Sequence, residues 1–323
     1  MSSDTIMPWD DPAAPEHVRK RQPVWNMPGP TIRIDLPRRR PALELPLALQ
    51  GLSYGAVVMT HRGSSNGRLS ILLSSLPANL PVVVSSDSID EADIRLDAEV
   101  AAHHGADFVH STPWAGRAGH AIQCMTVTSW DYVLFLNDDV WLFPEATLEA
   151  LRWTYVIEHA GVPLAMLAVP GFESYHDYAK WGFDSWQQCL DEPMRFEAIA
   201  PHPKFLMAPA LYKNPFGACM VIVRKAYRDV GGFAREAWSH DDTINHRIWL
   251  SRKWVNAAMP GRGYVHYGNQ SGHFGETQEW MGSHLAATGM TADESGRAQH
   301  AIMEEWTPKL ADIFLSLGGT PCL

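Results

Sequence analysis

The feature that most constrains this chain is an alternation of short, continuously apolar runs with stretches of helical length. GAVVMT starts at Gly55, and PVVVSSD, ADFVHS, WDYVLFLNDDV and PLAMLAV follow at intervals. Between them lie RLSILLSSL, a stretch from about Glu91 to His104, another from Arg117 to Ser129, and the amphipathic PEATLEALRWTYVIEHAG. Apolar runs without polar alternation are strands covered on both faces. Such strands alternating with helices predict an α/β, Rossmann-like fold with a mostly parallel sheet flanked by helices. Further on, FGACMVIV and GYVHY add strands, and WSHDDTINHRIWLSRKW adds a helix.

Three regions depart from that rhythm. Residues 1–50 are proline-rich and carry two basic runs, Arg19-Lys20-Arg21 and Arg38-Arg39-Arg40. Proline at this density blocks helix and interior strand, so an extended N-terminal arm is expected, lying on the body, reaching a partner, or simply solvated. Residues 170–215 lose the pattern and are rich in aromatics, as binding loops and lids often are. Residues 276–323 read as a helical C-terminal cover over a domain spanning 51–275. The formal net charge of −10 disfavours a broad nucleic-acid footprint. Four scattered cysteines imply neither a disulfide framework nor a zinc cluster. No apolar leader or membrane span is visible, so a cytoplasmic location is expected.

Four places carry candidate chemistry. Asn137-Asp138-Asp139 sits where the fourth apolar strand stops, and ligands of open α/β sheets bind beyond the carboxyl ends of strands. Carboxylates there suit Mg²⁺ or Mn²⁺ bridging a diphosphate, although either aspartate would also serve as a turn or helix cap. Ser239-His240-Asp241-Asp242 opens a helix, where a carboxylate can act as general base or Ser239 and Asp242 can form a capping box. His266 ends a short strand and is either a metal ligand or a hydrogen-bonded structural histidine. Asp87 ends the second strand and either reads a ribose or base or makes an ordinary turn. Gly63-Ser64-Ser65-Asn66-Gly67 spells GxSxG between strand and helix, but it follows the first strand with no oxyanion loop upstream, which disfavours a hydrolase. GxGxxG after the first strand and GxxxxGK[ST] are both absent.

Taken in order, these segments resemble the inverting GT-A glycosyltransferases, the family of many bacterial rhamnosyl- and glucosyltransferases, over residues 55–272. The resemblance implies a GT-A sheet and a hexosyltransferase-like activity. PVVVSSDS is similar to the strand whose terminal aspartate contacts the nucleoside, so Asp87 takes that role, with Thr60 and Arg62 beside it. AGRAGHAIQ resembles the stretch lining the diphosphate, where Arg117 meets phosphate and His120 stands where asparagine is common. In WDYVLFLNDDV, Asn137 replaces the first aspartate of the DxD motif and Asp139 matches the second, with Asp138 between them on the donor side. The block from Phe216 to Trp249 resembles the family's most specific stretch: Gly217, Arg224 and the Gly231-Gly232-Phe233 turn fall in place. Asp242 matches the base best and Asp241 is the runner-up, the pair being Asp-Asp where Glu-Asp is usual. Arg247 stands one position off the usual spacing. The late segment YVHYGNQSGH makes His266 a metal ligand beside Asp139.

The implied reaction is a metal-dependent, inverting transfer of sugar from a nucleotide-diphosphate sugar to an acceptor hydroxyl. Mn²⁺ or Mg²⁺ is the implied cofactor. The acceptor is a glycan, protein or nucleic acid, and Tyr175, Trp181 and Trp186 are expected on its side. Two rivals stand beside this reading: a phage-type transferase acting on nucleic-acid bases, motivated by the basic arm, and a carbohydrate-binding protein that kept the fold but lost catalysis.

Overall fold

The structure, a computed structural model, describes residues 39–61, 64, 67–111, 116–173, 188, 210–211, 218–233, 240–266 and 292–316. The expected strands form where the apolar runs lie: β1 Tyr54–Thr60, β2 Val82–Ser86, β3 Asp107–His110 and β4 Tyr132–Asn137. Helices α1 Arg68–Ser74, α2 Glu91–His103 and α3 Gly116–Thr126 connect them, and strand–helix–strand crossovers keep all four strands parallel. The start of α2 is fixed locally: Asp90 Oδ1 accepts the Ala92 N–H at 2.7 Å, with Glu91 and Asp93 in the first turn, where carboxylates meet the positive end of the helix.

The apolar run that begins at Tyr132 does not continue as one strand. It ends at Asn137, turns through Asp138 and Asp139, and resumes as β5 Val140–Leu142 in a different sheet. Two successive aspartates favour a turn through side-chain bonding to their own backbone. After β5 come α4 Ala146–His159, β6 Leu164–Ala168, β7 Gly171–Glu173, β8 Ala210–Leu211, β9 Cys219–Val223, α5 Arg224–Asp229, α6 His240–Ser251, β10 Val255–Ala258, β11 Tyr264–His266 and α7 Ala292–Ser316. Among the described residues the main sheet has eight strands, in the order β3-β2-β1-β4-β9-β6-β10-β8. β9 is antiparallel to both β4 and β6, and β8 is antiparallel to β10; the other pairs are parallel. The sheet is therefore mostly parallel, with one reversed strand at its centre.

Strand residues such as Ala56, Val57, Val58, Val133 and Leu136 are buried, as are Leu69, Leu72 and Leu73 of α1 and Trp153 and Ile157 of α4. Helices on both faces account for the lack of polar alternation in these strands. Truncating one such leucine to alanine costs about 2–5 kcal/mol.

Arg224, at the start of α5, staples this core to the end of α3 and to the loop before β4. Its Nε donates to Trp130 O at 2.5 Å, Nη1 to Met125 O at 2.8 Å and Nη2 to Thr128 Oγ1 at 2.6 Å. Burial lowers its pKa from the ordinary range. The glycine turn after α5 has φ of +82° at Gly231 and +66° at Gly232, and a Cβ on Gly232 would come within 2.7 Å of the Tyr227 ring. Arg247 Nη1 donates to both turn carbonyls, at 2.7 and 2.8 Å. The phenyl ring of Phe233 then packs edge-on against Phe135 and Tyr227.

The second sheet has the order β5-β11-β7, with β5 antiparallel and β7 parallel to β11. Gly171 permits its close approach, since a Cβ there would lie 2.2 Å from the Tyr264 ring. The end of the second basic run rests on the body: Arg39 Nη2 donates to Pro77 O at 2.5 Å and also to Leu80 O, and the Arg40 guanidinium lies over the Trp141 ring of β5, 4.8 Å from its centroid. Burial brings the Arg39 pKa down to about 10. Helix α7 packs on α6, β8 and α4 through residues including Ile302, Leu310 and Ile313. Among the described residues no helix is long and apolar enough to cross a membrane.

Candidate active site

The carboxyl ends of β1, β2, β3 and β4 share one rim, because those strands are parallel neighbours. The turn after β4 delivers Asp139 to this rim. Register does the rest: β11 runs antiparallel to β5 with His266 opposite Val140, which sets the imidazole beside the preceding residue. His266 Nε2 lies 3.3 Å from Asp139 Oδ2, with the side chains 9% and 17% exposed. Asn137 ends β4 two residues earlier, and its Oδ1 is buried without a hydrogen-bond partner among the described residues. A carboxylate, an imidazole nitrogen and an unsatisfied amide oxygen fit a divalent cation. No group of three or more His, Cys, Asp or Glu forms a metal cage among the described residues. A cation here would take its remaining ligands from water or a bound diphosphate, as Mg²⁺ commonly does.

Asp138 faces the other way. Its Oδ2 accepts the Thr60 hydroxyl at 2.7 Å and lies 3.7 Å from Arg68 Nη2, while its N–H donates to Met59 O at 3.1 Å. Burial pushes the Asp138 carboxyl up, the adjacent Asp139 charge adds to this, and Arg68 and Thr60 oppose it. The structure therefore uses Thr60 and Asp138, both expected on the donor side, to tie β4 to β1 and α1. Thr60 is only 2% exposed.

Asp87 follows β2, with its N–H donating to Thr60 O at 3.2 Å. His61 Nδ1 lies 2.8 Å from Asp87 Oδ1, and His120 Nδ1 lies 3.4 Å from Oδ2. Burial would raise the Asp87 carboxyl, but the hydrogen bonds and charges of the two imidazoles outweigh it and hold the carboxyl well below the usual range. His120 was expected along the diphosphate. Instead it is buried under the end of β2, with Nε2 3.1 Å from both the oxygen and the Oγ of Ser85. Burial lowers its proton affinity, yet bonding to Asp87 and Cys124 raises the pKa to about 10.

Helix α6 begins at His240, so Asp241 and Asp242 lie in its first turn. Asp241 is partly exposed, and the Asp242 side chain lies outside the described residues. The helix is held to the sheet by Asn256 Nδ2, which donates to Asn245 Oδ1 at 2.7 Å. Arg62, Ser239, Tyr175, Trp181, Trp186 and the side chain of Arg117 also lie outside the described residues.

Three participants were not singled out from sequence: His61, Arg68 and Asp97. Asp97 on α2 is fully buried and accepts the Ser64 N–H at 3.0 Å, the Ser86 hydroxyl at 2.7 Å and the Ser88 hydroxyl at 3.0 Å. The signal was present: Asp93 and Asp97 share the inner face of α2 with Val100 and Ala101, where apolar residues are expected. A pocket of about 330 Å³ lined by Ser70, Glu99, Val100, Ala102 and His103 shares no residue with these groups.

No protein-family model matches the sequence, and no curated protein does. Solved structures do match. A mannosyltransferase of Pyrobaculum calidifontis, in complex with GDP-Man and Mn²⁺, is similar at 13% identity and a TM-score of 0.51, over 87% of this chain and 79% of that one. The fold is GT-A. The glucosyl-3-phosphoglycerate synthase of Mycobacterium tuberculosis matches at 12% identity and a TM-score of 0.48, over 81% of this chain and 89% of that one. TarS of S. aureus (residues 1–349) matches at 13% and 0.45; the match covers 67% of this chain and 60% of that one. These structural neighbours are glycosyltransferases.

Proposed function

We propose that this protein is a metal-dependent, inverting glycosyltransferase that moves a sugar from a nucleotide-diphosphate sugar to an acceptor hydroxyl. The observation that carries the reading is the pairing of Asp139 and His266 at 3.3 Å, on the rim where a GT-A fold receives its donor. The neighbouring structures support the donor class, since their names record GDP-Man with Mn²⁺ and UDP-glucose with Mn²⁺.

In this reading Asp139 and His266 would hold Mn²⁺ or Mg²⁺, which would supply positive charge against that developing on the leaving diphosphate. Asp87 and Asn137 lie on the donor side, with Arg62 and Arg117 toward the phosphates, while Asp138 braces the turn behind them. Asp242, or Asp241 in its place, accepts the acceptor's proton. The acceptor oxygen then forms its bond to the anomeric carbon as the carbon–oxygen bond to the diphosphate breaks, with the electron pair leaving on phosphate. Tyr175, Trp181 and Trp186 take the acceptor side. Residues 51–275 are the catalytic domain in this scheme, 1–50 the arm, and 276–323 the cover.

The test is a thermal-shift panel of nucleoside diphosphates and nucleotide-sugars with and without Mn²⁺, followed by donor turnover. Stabilisation by one nucleotide class that requires the metal, with release of nucleoside diphosphate, is expected. Stabilisation by free sugars alone would instead favour a non-catalytic carbohydrate-binding protein.

A further inference from the structure

A carboxyl group on the packed face of a helix is costly unless it is bonded. Asp97, in the middle of α2, is such a group, and its bonds converge on one place. Oδ1 accepts the Ser64 N–H at 3.0 Å, from the segment that follows β1. Oδ2 accepts the Ser86 hydroxyl at 2.7 Å and the Ser88 hydroxyl at 3.0 Å. Those two serines are the chain neighbours of Asp87, so one carboxyl oxygen grips the chain on both sides of it.

The serines are themselves held from other directions. Ser64 O accepts the Gly67 N–H at 3.1 Å, so both backbone groups of Ser64 are bonded. Ser88 donates its N–H to Ser86 Oγ at 3.2 Å and its hydroxyl to Asp97, and its carbonyl lies 2.9 Å from His110 Nε2. The register of β1 with β2 ends at Thr60 opposite Ser86. Past that point the two segments diverge toward α1 and α2, and Asp97 reaches both. Ser64, Ser86 and Ser88 are fully buried, whereas the Asp87 side chain between the last two keeps 17% exposure at the rim. Buried fixed points holding a more exposed group are the arrangement that preorganises a binding site.

We propose that Asp97 is a positioning residue for the nucleoside end of the donor site: its one buried carboxyl bridges Ser64 after β1 to both neighbours of Asp87, and so sets Asp87 against that segment before a ligand arrives. The nucleoside end rests on the function proposed above; the bridge rests on the contacts alone. Asp97 itself is too deep to touch a ligand on the rim. Its effect is therefore on how strongly a nucleotide is held.

The experiment is hydrogen–deuterium exchange on the full-length chain, read on peptides covering Ser64 and Asp87–Ser88, beside calorimetric titration with UDP and with GDP in the presence of Mn²⁺. In Asp97→Ala, with circular dichroism unchanged, exchange is expected to rise in both peptides together while β4, β9 and α4 keep wild-type rates. The nucleotide that the wild type binds should be held about tenfold more weakly, since the ligand must now order the segments itself. Asp97→Asn keeps an oxygen for the Ser64 N–H and offers its amide N–H to the serine oxygens, so it is expected to restore both readouts toward wild type. Should Asp97→Ala fail to fold, the double variant Ser86→Ala/Ser88→Ala, which leaves Asp97 on Ser64, is expected to free the Asp87 peptide and weaken the nucleotide likewise. Exchange that rises throughout the chain, nucleotide affinity that does not change, or an Asn variant no better than Ala overturns the proposal. A wild type that binds neither UDP nor GDP would instead refute the nucleotide reading, and exchange alone would then decide the bridge.

Discussion

Over β1 and β2 each carboxylate is held from several sides. Asp97 accepts three donors, Asp87 lies between two imidazoles, and Asp138 meets Thr60 and Arg68. At the turn after β4, by contrast, Asp139 shares the rim with His266 and with an amide oxygen on Asn137 that has no partner among the described residues. The same residue types serve opposite ends. Carboxylates enclosed by donors fix a frame, because a buried polar group left unsatisfied is costly. On the metal-centred proposal Asp139 and His266 would instead serve a cation, so adjacent Asp138 and Asp139 would have different tasks.

The largest expected effect breaks the second region. Asp139→Ala should lower transfer by about 10³-fold or more while leaving the fold intact, since a preorganised charge partner of the leaving group is lost. Steady-state turnover with saturating Mn²⁺, set beside an unchanged circular dichroism spectrum, checks this. Next, Asp242→Asn should lower transfer by about 10²-fold or more with nucleotide affinity retained. If Asp241→Asn alone has that effect, the base is one residue earlier.

The remaining predictions concern the frame. Asp97→Ala should cost about 3 kcal/mol of stability in urea denaturation, because three buried donors lose their acceptor. A change within the ordinary surface range, about 0.5 kcal/mol, would show that the network is not structural. The smallest effect is on pH dependence. The folded pKa of His120, about 10, lies above its unfolded value of about 6.5, so its contribution is complete below about 6.5 and fades as pH rises toward 10. Asp87 is shifted the opposite way, so its contribution is present above about 3.9 and is lost only in acid. Stability measured at pH 6, 8 and 10 should therefore fall more steeply in the wild type than in His120→Gln.

Most of the frame could be read from the sequence because burial on both faces leaves a continuous apolar run, as in Ala56–Met59 and Val133–Leu136. That same pattern hides direction. Cys219–Val223 is as apolar as its neighbours, and nothing in it announces that it runs antiparallel between β4 and β6. β10 escaped notice because it has four residues with Asn256 among them, a polar side chain whose partner, Asn245, lies on α6. At the site, the pairing of Asp139 with His266 was legible only through the family resemblance; the register of β11 on β5 supplies its geometry. The opposite fates of Asp138 and Asp139 could not be read, since two identical adjacent residues differ only in which way the turn points them. His61 was invisible for a related reason: its role exists only through a residue 26 positions away.

The most direct test of the metal-centred account is Mn²⁺ electron paramagnetic resonance, titrating the protein with and without a stabilising nucleoside diphosphate. Tight Mn²⁺ uptake that requires the nucleotide in the wild type and is lost in a folded Asp139→Ala variant is the predicted result. Nucleotide binding of equal strength in both proteins, indifferent to Mn²⁺, would contradict it.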